Sequence, residues 1–518
     1  MPHPLRAVAI AILGTASDVG KSMIAAGACR LLRRAGFRVA PFKAQNMSLN
    51  SFVTPEGGEI GRAQALQAEA CGIAPHVDMN PILLKPESNF RSQVIVQGRV
   101  LATLDAQSYF ARMHDSDLSR AVRESYDRLA SQYEVIVIEG AGSAAEVNLR
   151  DRDLVNWPVV EMADAQVVLV ADIDRGGVFA QIIGTLELIA PHERARVCGI
   201  VINKFRGDVS LFADGLRFLA DRTGIPVLGV VPFLRELMLD QEDSLDLERN
   251  RQIQFAADQI NIGVLLIPHM SNFTDFNALA AEADVRLRYV TAPGEAEGAD
   301  AILLPGTKTT LADLSYMRAH GFEALLHRHV EGGGEVVGIC GGYQMLGRQI
   351  MDPDGVEDGG AGEGFGLLDV TTVLERDKIT EQVQAQALHL NSPAPMVNGY
   401  FIHAGRTQRH GHRPCFQLYA MDDQRRTMRE DRPRLDGAAN ESGLVWGSYI
   451  HGLFDEPGFR RAWLNRLRNR KGLPSLSETG SLLVNDRRRA ALDRWADHVA
   501  QHLDVGLILA LANQGAKS

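Results

Sequence analysis

The chain has 518 residues, too many for one comfortable domain, and its hydrophobic (45%) and charged (23%) fractions are those of globular protein rather than long disorder. A formal net charge of −10 gives no support to a nucleic-acid-binding surface. Five cysteines, odd in number and widely spread without paired metal spacing, read as reduced thiols rather than a disulfide framework. The apolar run before Gly14 is too short for a membrane span, and the start lacks the basic region and cleavage site of a secretory leader. A soluble, cytoplasmic protein of at least two domains is expected.

Continuous Val/Ile/Leu runs at residues 8–13, 38–42, 135–138, 167–171, 199–202 and 227–231 predict strands buried on both faces of a parallel sheet. Amphipathic stretches such as 24–34 and 121–132 predict the crossover helices between them. This first α/β unit occupies residues 1–235. A charge-rich, weakly periodic stretch at 236–258 reads as a linker. A second α/β series, with strands near 262–267, 284–290, 301–304, 336–339 and 443–449, occupies 259–458. Two Gly-rich or polar insertions, 352–366 and 421–442, read as surface loops. Residues 459–518 read as a helical C-terminal tail, and no internal repeat is evident.

Within the first unit, Gly14-Thr15-Ala16-Ser17-Asp18-Val19-Gly20-Lys21-Ser22 follows a strand and opens a helix. Glycines there turn backbone N–H groups toward phosphate oxygens, Lys21 supplies positive charge, and the Ser22 hydroxyl can ligate Mg²⁺. The spacing between Gly14 and Gly20 is one residue longer than in the common phosphate loop. Glu139 ends the strand at 135–138, at the edge where ligands of open α/β sheets collect, and can hold Mg²⁺ directly or through water. Lys43 follows the second strand on that edge; it reads either as a partner for an anionic substrate or phosphate, or as a solvated loop lysine.

In the second unit, Gly338-Ile339-Cys340-Gly341-Gly342-Tyr343-Gln344 places a thiol between small residues on a strand-to-helix turn, the elbow arrangement of a nucleophile. The following helix N-terminus favours negative charge on the sulfur. Its base is far away in sequence: His451 and His403 both end strand-like runs, and periodicity does not choose between them. Gly306, in Leu304-Pro305-Gly306-Thr307, and Gly341 can offer backbone N–H groups to an oxyanion.

Taken together, these motifs are similar to known ones. The first half resembles the dethiobiotin-synthetase-like branch of P-loop ATPases, whose phosphate loop has the longer spacing, and the second half resembles a class I glutamine amidotransferase domain. The fusion in this order resembles the cobyrinic and cobyric acid synthase family of the cobalamin pathway. Stretches such as Lys43-Ala44-Gln45-Asn46-Met47-Ser48-Leu49-Asn50-Ser51 and Asp172-Ile173-Asp174-Arg175-Gly176-Gly177-Val178-Phe179 place it on the cobyric acid branch. The resemblance implies Cys340 as nucleophile with His451 as base, Gln344 as a glutamine contact, and Gly306 with Gly341 as the oxyanion hole. It implies an ATP cradle of Gly14, Thr15, Ser17, Asp18, Gly20, Lys21 and Ser22, with Asn203 near the adenine and Ser22 and Glu139 on Mg²⁺; Glu59 is a guess for a second carboxylate. The implied reaction is ATP- and glutamine-dependent amidation of carboxylates b, d, e and g of adenosylcobyrinic a,c-diamide, giving adenosylcobyric acid, with neither nucleic acid nor membrane as partner. Two positions depart from the pattern: Leu453 stands where class I amidotransferases carry Glu, and Phe401 where the family carries Glu. The first departure implies a Cys–His dyad, with Asp455 the nearest acid but off pattern.

Overall fold

The apolar runs of the first unit assemble into six parallel strands in the order Val227–Pro232, Val197–Phe205, Gln166–Asp172, Val8–Gly14, Val135–Glu139, Val39–Phe42. The strand that feeds the phosphate loop is thus central, with Ile12 in register with Glu139 and Gly14 with Val170, so loop and carboxylate emerge at one edge. Helix Lys21–Arg34 begins at Gly20, whose φ of 92° a side-chain-bearing residue rarely adopts. Its face of Ile24, Ala25, Ala28, Cys29 and Leu32 is buried against the sheet. A smaller sheet, which periodicity did not reveal, joins Gln45–Met47, Ile82–Pro86, Arg91–Val96 and Arg99–Asp105.

The second sheet runs Val285–Val290, Ile260–Leu265, Ala301–Leu304, Glu335–Ile339 and Val445–Ser448 in parallel, with Ala438–Ala439 antiparallel at its edge. Beside it, a long antiparallel hairpin of Val370–Ala387 and Met396–Arg409 carries His403. The insertion at 352–366 is more than a surface loop. Gly360–Glu363 pairs with Gln349–Asp352, and the Glu357 carboxylate accepts from the buried Thr310 hydroxyl at 3.0 Å. This computed structural model describes residues 7–87, 91–105, 108–109, 116–234, 251–357, 359–390, 394–419, 434–477 and 484–515. Most of the expected linker and residues 421–433 of the second insertion lie outside them.

The segment expected as a single tail divides in two. Helix Pro457–Arg470 buries Phe459, Trp463, Leu464 and Leu467 in the core of the second sheet. Helix Val484–His502 returns to the first unit, where Trp495 Nε1 donates to Met23 O at 2.6 Å and Asp493 accepts from Arg30 at 2.8 Å. Leu492, Val499 and Leu503 join Ile24 and Leu32 in one core.

Candidate functional site

Gly338 permits the turn into Cys340, because a Cβ there would come within 2.6 Å of the Gly342 carbonyl carbon. Cys340 itself has φ 52° and ψ −111°, a strained conformation for a side-chain-bearing residue, and caps the short helix Gly341–Met345. The first N–H groups of such a helix have no intrahelical partner, so Gly341 N–H is available beside the sulfur. Gly306 approaches from the facing strand: a Cβ on it would lie 3.3 Å from His451 Cε1, and one on Gly341 would lie 2.6 Å from Thr307 Cγ2. A side chain at Gly341 would clash outright, and one at Gly306 would crowd His451. Gln344 is fixed from both ends, its amide donating to Tyr449 Oη at 3.0 Å and its oxygen accepting from Thr310 Oγ1 at 3.2 Å.

Of the two histidines, His451 is the one whose charge responds to the neighbouring Cys340, whose Sγ itself donates to Ile402 O at 3.5 Å. His403 instead stacks on Tyr449 with ring centres 3.7 Å apart, and its Nδ1 faces Gly405 O at 2.8 Å. Burial holds the His403 imidazole down at about 3, so it is neutral. Burial would lower His451 too, but the Asp275 carboxylate, 2.7 Å from Nδ1, and the neighbouring Cys340 raise it to about 10.

Asp275 is the residue that the sequence did not reveal, and it gives His451 the acidic partner that the expected dyad lacks. Its other oxygen accepts from Gly452 N–H at 3.0 Å, fixing the turn after His451. Leu453 is buried in the core, and Asp455 lies 4.0 Å from Arg488 rather than on His451. Phe401 is likewise a core residue, edge-on to His403. No spacing rule signals Asp275, which sits on the 3₁₀ turn Phe273–Phe276.

The cavity holding Cys340, Gly341 and Gln344 is also lined by Lys85 and Gln93 of the first unit and by Lys378 and Glu357. Burial pushes the Glu357 carboxyl up to about 7. Glu59, the guessed Mg²⁺ carboxylate, is instead buried between Lys85, at 2.8 Å, and Lys378. Those two ammonium groups hold it well below the usual carboxylate range despite its burial, so it ties the halves together.

At the phosphate loop, Lys21 Nζ donates to Ala16 O at 2.9 Å and to Gly142 O at 2.8 Å. Thr15 is buried, with its hydroxyl on Gln181 at 3.3 Å, while Ser17 and Asp18 are exposed at the tip. Asn203 braces the loop, its amide donating to Val19 O at 2.8 Å and lying so close to Gly20 that a Cβ there would collide with Nδ2. Glu139 is buried and accepts from Ser22 Oγ at 2.7 Å, Lys43 Nζ at 2.8 Å and Gln67 Nε2 at 2.6 Å. Burial opposes its charge, but Lys43 and these hydrogen bonds prevail and keep the carboxyl below its ordinary range. Lys43 is therefore a buried ion-pair partner rather than a solvated loop lysine.

A hard cation fits this corner. The donors are a hydroxyl and a carboxylate, and beside them Gln67 Oε1 is a buried acceptor without a partner among the described residues. Among those residues, no helix is long and apolar enough to cross a membrane.

Residues 10–245 match a family described as the CobQ/CobB/MinD/ParA nucleotide binding domain, and residues 261–459 match the CobB/CobQ-like glutamine amidotransferase domain. A curated relative from Syntrophobacter fumaroxidans, named cobyric acid synthase, is 46% identical over 96% of this chain and 98% of its own length. Relatives of the same name from Citrobacter koseri and Sorangium cellulosum are 48% and 46% identical, covering 98% and 97% of this chain and 98% of their own lengths.

Proposed function

The chain belongs to the cobyric acid synthase family, ATP-dependent glutamine amidoligases of cobalamin biosynthesis, and we propose how its two centres divide that reaction. Cys340, its thiol proton passed to His451, attacks the side-chain carboxamide carbon of glutamine, while Gly306 and Gly341 N–H groups receive the developing oxyanion. His451 then gives its proton to the departing nitrogen, ammonia leaves, and a water activated by His451 hydrolyses the thioester. Asp275 keeps the imidazole in the required tautomer and stabilises its charged form. Gln344, immobilised by Tyr449 and Thr310, borders the glutamine side chain.

At the first centre, Lys21 and the N-terminal amides of helix Lys21–Arg34 hold the ATP phosphates. Ser22 and Glu139 would hold Mg²⁺, which neutralises phosphate charge. A corrinoid carboxylate takes the terminal phosphoryl group to give an acyl phosphate, ammonia attacks the acyl carbon, and inorganic phosphate leaves. The substrate is adenosylcobyrinic a,c-diamide, amidated at b, d, e and g to adenosylcobyric acid. Activation is needed because a carboxylate is a poor electrophile with a poor leaving group.

The observation that carries this reading is the Asp275-paired His451 beside Cys340 at a strained elbow, on the same polypeptide as a phosphate loop backed by Glu139. Cys340→Ala should abolish glutamine-dependent amidation while ammonia with MgATP still supports it, measured as amides added to the corrinoid by mass spectrometry. Full glutamine-dependent activity in that variant would remove Cys340 from the mechanism.

A further inference from the structure

The geometry points to the cavity between strand Gln45–Met47 and the 141–157 segment as the corrinoid site, gripping one apolar edge of the macrocycle beside the phosphate loop; this rests on the amidoligase reading above. The cavity measures about 390 Å³. Met47, Leu84 and Leu104 line one side, with Ala144, Leu149 and Leu154 on the other. Two of these large apolar side chains are unusually open to solvent, Met47 at 58% and Leu149 at 38%, and Val147 on the same 3₁₀ turn as Leu149 is 57% exposed. Exposed apolar groups from separate segments converging on one cavity mark a surface that a ligand covers.

The wall is built before any ligand arrives. Asn156 Oδ1 accepts from Ala141 N–H at 3.1 Å, its Nδ2 donates to Ala141 O at 2.9 Å, and Trp157 Nε1 donates to Ala144 O at 2.7 Å. That wall is also continuous with the phosphate centre, because Gly142 O accepts from Lys21 Nζ at 2.8 Å and Ala144 N–H donates to Gly14 O at 2.8 Å. A ligand seated here presents its periphery to the atoms that would hold the terminal phosphate.

The chemistry of the occupant follows. It needs a broad apolar rim to cover Met47 and Leu149, and a flexible carboxylate arm to reach the phosphate loop at Lys21. A corrinoid has both. It is too large to enter a cavity of this size whole, so one edge docks while the rest stays outside. An edge-only grip lets the molecule leave and return in another orientation, as successive amidation of different side chains requires.

Binding of cobyrinic acid a,c-diamide to the full chain, measured by equilibrium dialysis with MgATP present, tests this. Met47→Asp and Leu149→Asp place a charge on an apolar contact and should each raise the corrinoid Kd by at least about tenfold. ATP affinity and glutamine hydrolysis at Cys340, in the other unit, report that the variants are folded; Met47→Gln and Leu149→Gln serve if the charged variants are not. Unchanged corrinoid affinity in folded variants overturns the assignment. Loss of ATP affinity without loss of corrinoid affinity also overturns it and gives the cavity to the nucleotide base. Failure of the unaltered chain to bind the corrinoid at all sinks the amidoligase substrate reading itself, and the site with it.

Discussion

The Asp275–His451 contact decides how the second centre responds to pH and to mutation. An Asn at 275 keeps the size of the side chain but can hold the imidazole in the wrong tautomer, so Asp275→Asn should lower kcat for glutamine hydrolysis by roughly 10²–10⁴ with little change in KM. The same pair contributes stability with a defined pH window. His451 is raised from 6.5 to about 10 in the folded chain, so its contribution is complete below the ordinary imidazole value and is lost as pH rises through about 10. Denaturant titrations should therefore show Asp275→Asn less stable than the unaltered chain near neutrality, with the gap closing above about pH 10. Neither effect is written in the neighbourhood of His451. Leu453 invites the conclusion that nothing orients the base, because the acid arrives from a turn that precedes it by most of a domain.

At the scale of elements, the segment 48–51 of the first unit docks on the turn that carries Asp275. Asn50 Oδ1 accepts from Phe273 N–H at 3.1 Å, and Asn272 Oδ1 accepts from Ser51 N–H at 3.0 Å. The amide of Asn272 in turn faces His451 Nδ1 at 3.4 Å. Asn50→Ala leaves the half-buried Phe273 N–H without its acceptor, a loss of up to about 1–3 kcal/mol. Its predicted consequence is a several-fold drop in glutamine hydrolysis with ATP affinity preserved, read by ammonia release and nucleotide binding on the same preparation. An unchanged hydrolysis rate would mean that the turn holds Asp275 in place without the first unit. The phosphate loop and the Cys340 elbow were legible as elements because each is made of consecutive residues whose types answer a local backbone demand. The small sheet around Ile82–Pro86 was not legible, since its strands are short and their pairing is set by the neighbours they meet.

On the scale of the whole molecule, the helix Val484–His502 carries the chain from the second unit back onto the first. Gly27 and Gly229 accept its close approach, a Cβ on Gly27 falling 3.1 Å from Trp495 and one on Gly229 only 2.0 Å from His502 O. Trp495→Ala should cost about 3–5 kcal/mol in equilibrium unfolding, through lost burial and the lost bond to Met23 O. A chain ending at residue 477 should lose thermal stability first in the nucleotide-binding unit, whose helix Lys21–Arg34 it would uncover. The Glu59 cluster with Lys85 and Lys378 adds a second tie between the units at the wall of the Cys340 cavity.

The sequence by itself determined the two α/β units, the phosphate loop, the thiol elbow and the family resemblance, because parallel strands, glycine turns and helix N-termini impose demands that neighbouring residues satisfy. The resemblance already pointed to His451 rather than His403; the tertiary structure alone placed the Asp275 carboxylate on His451, set Glu59 between lysines and returned the last long helix to the first unit. Those outcomes rest on charges and rings brought together across large separations in the chain, where the cost of burying a polar group is offset only by a partner that packing delivers.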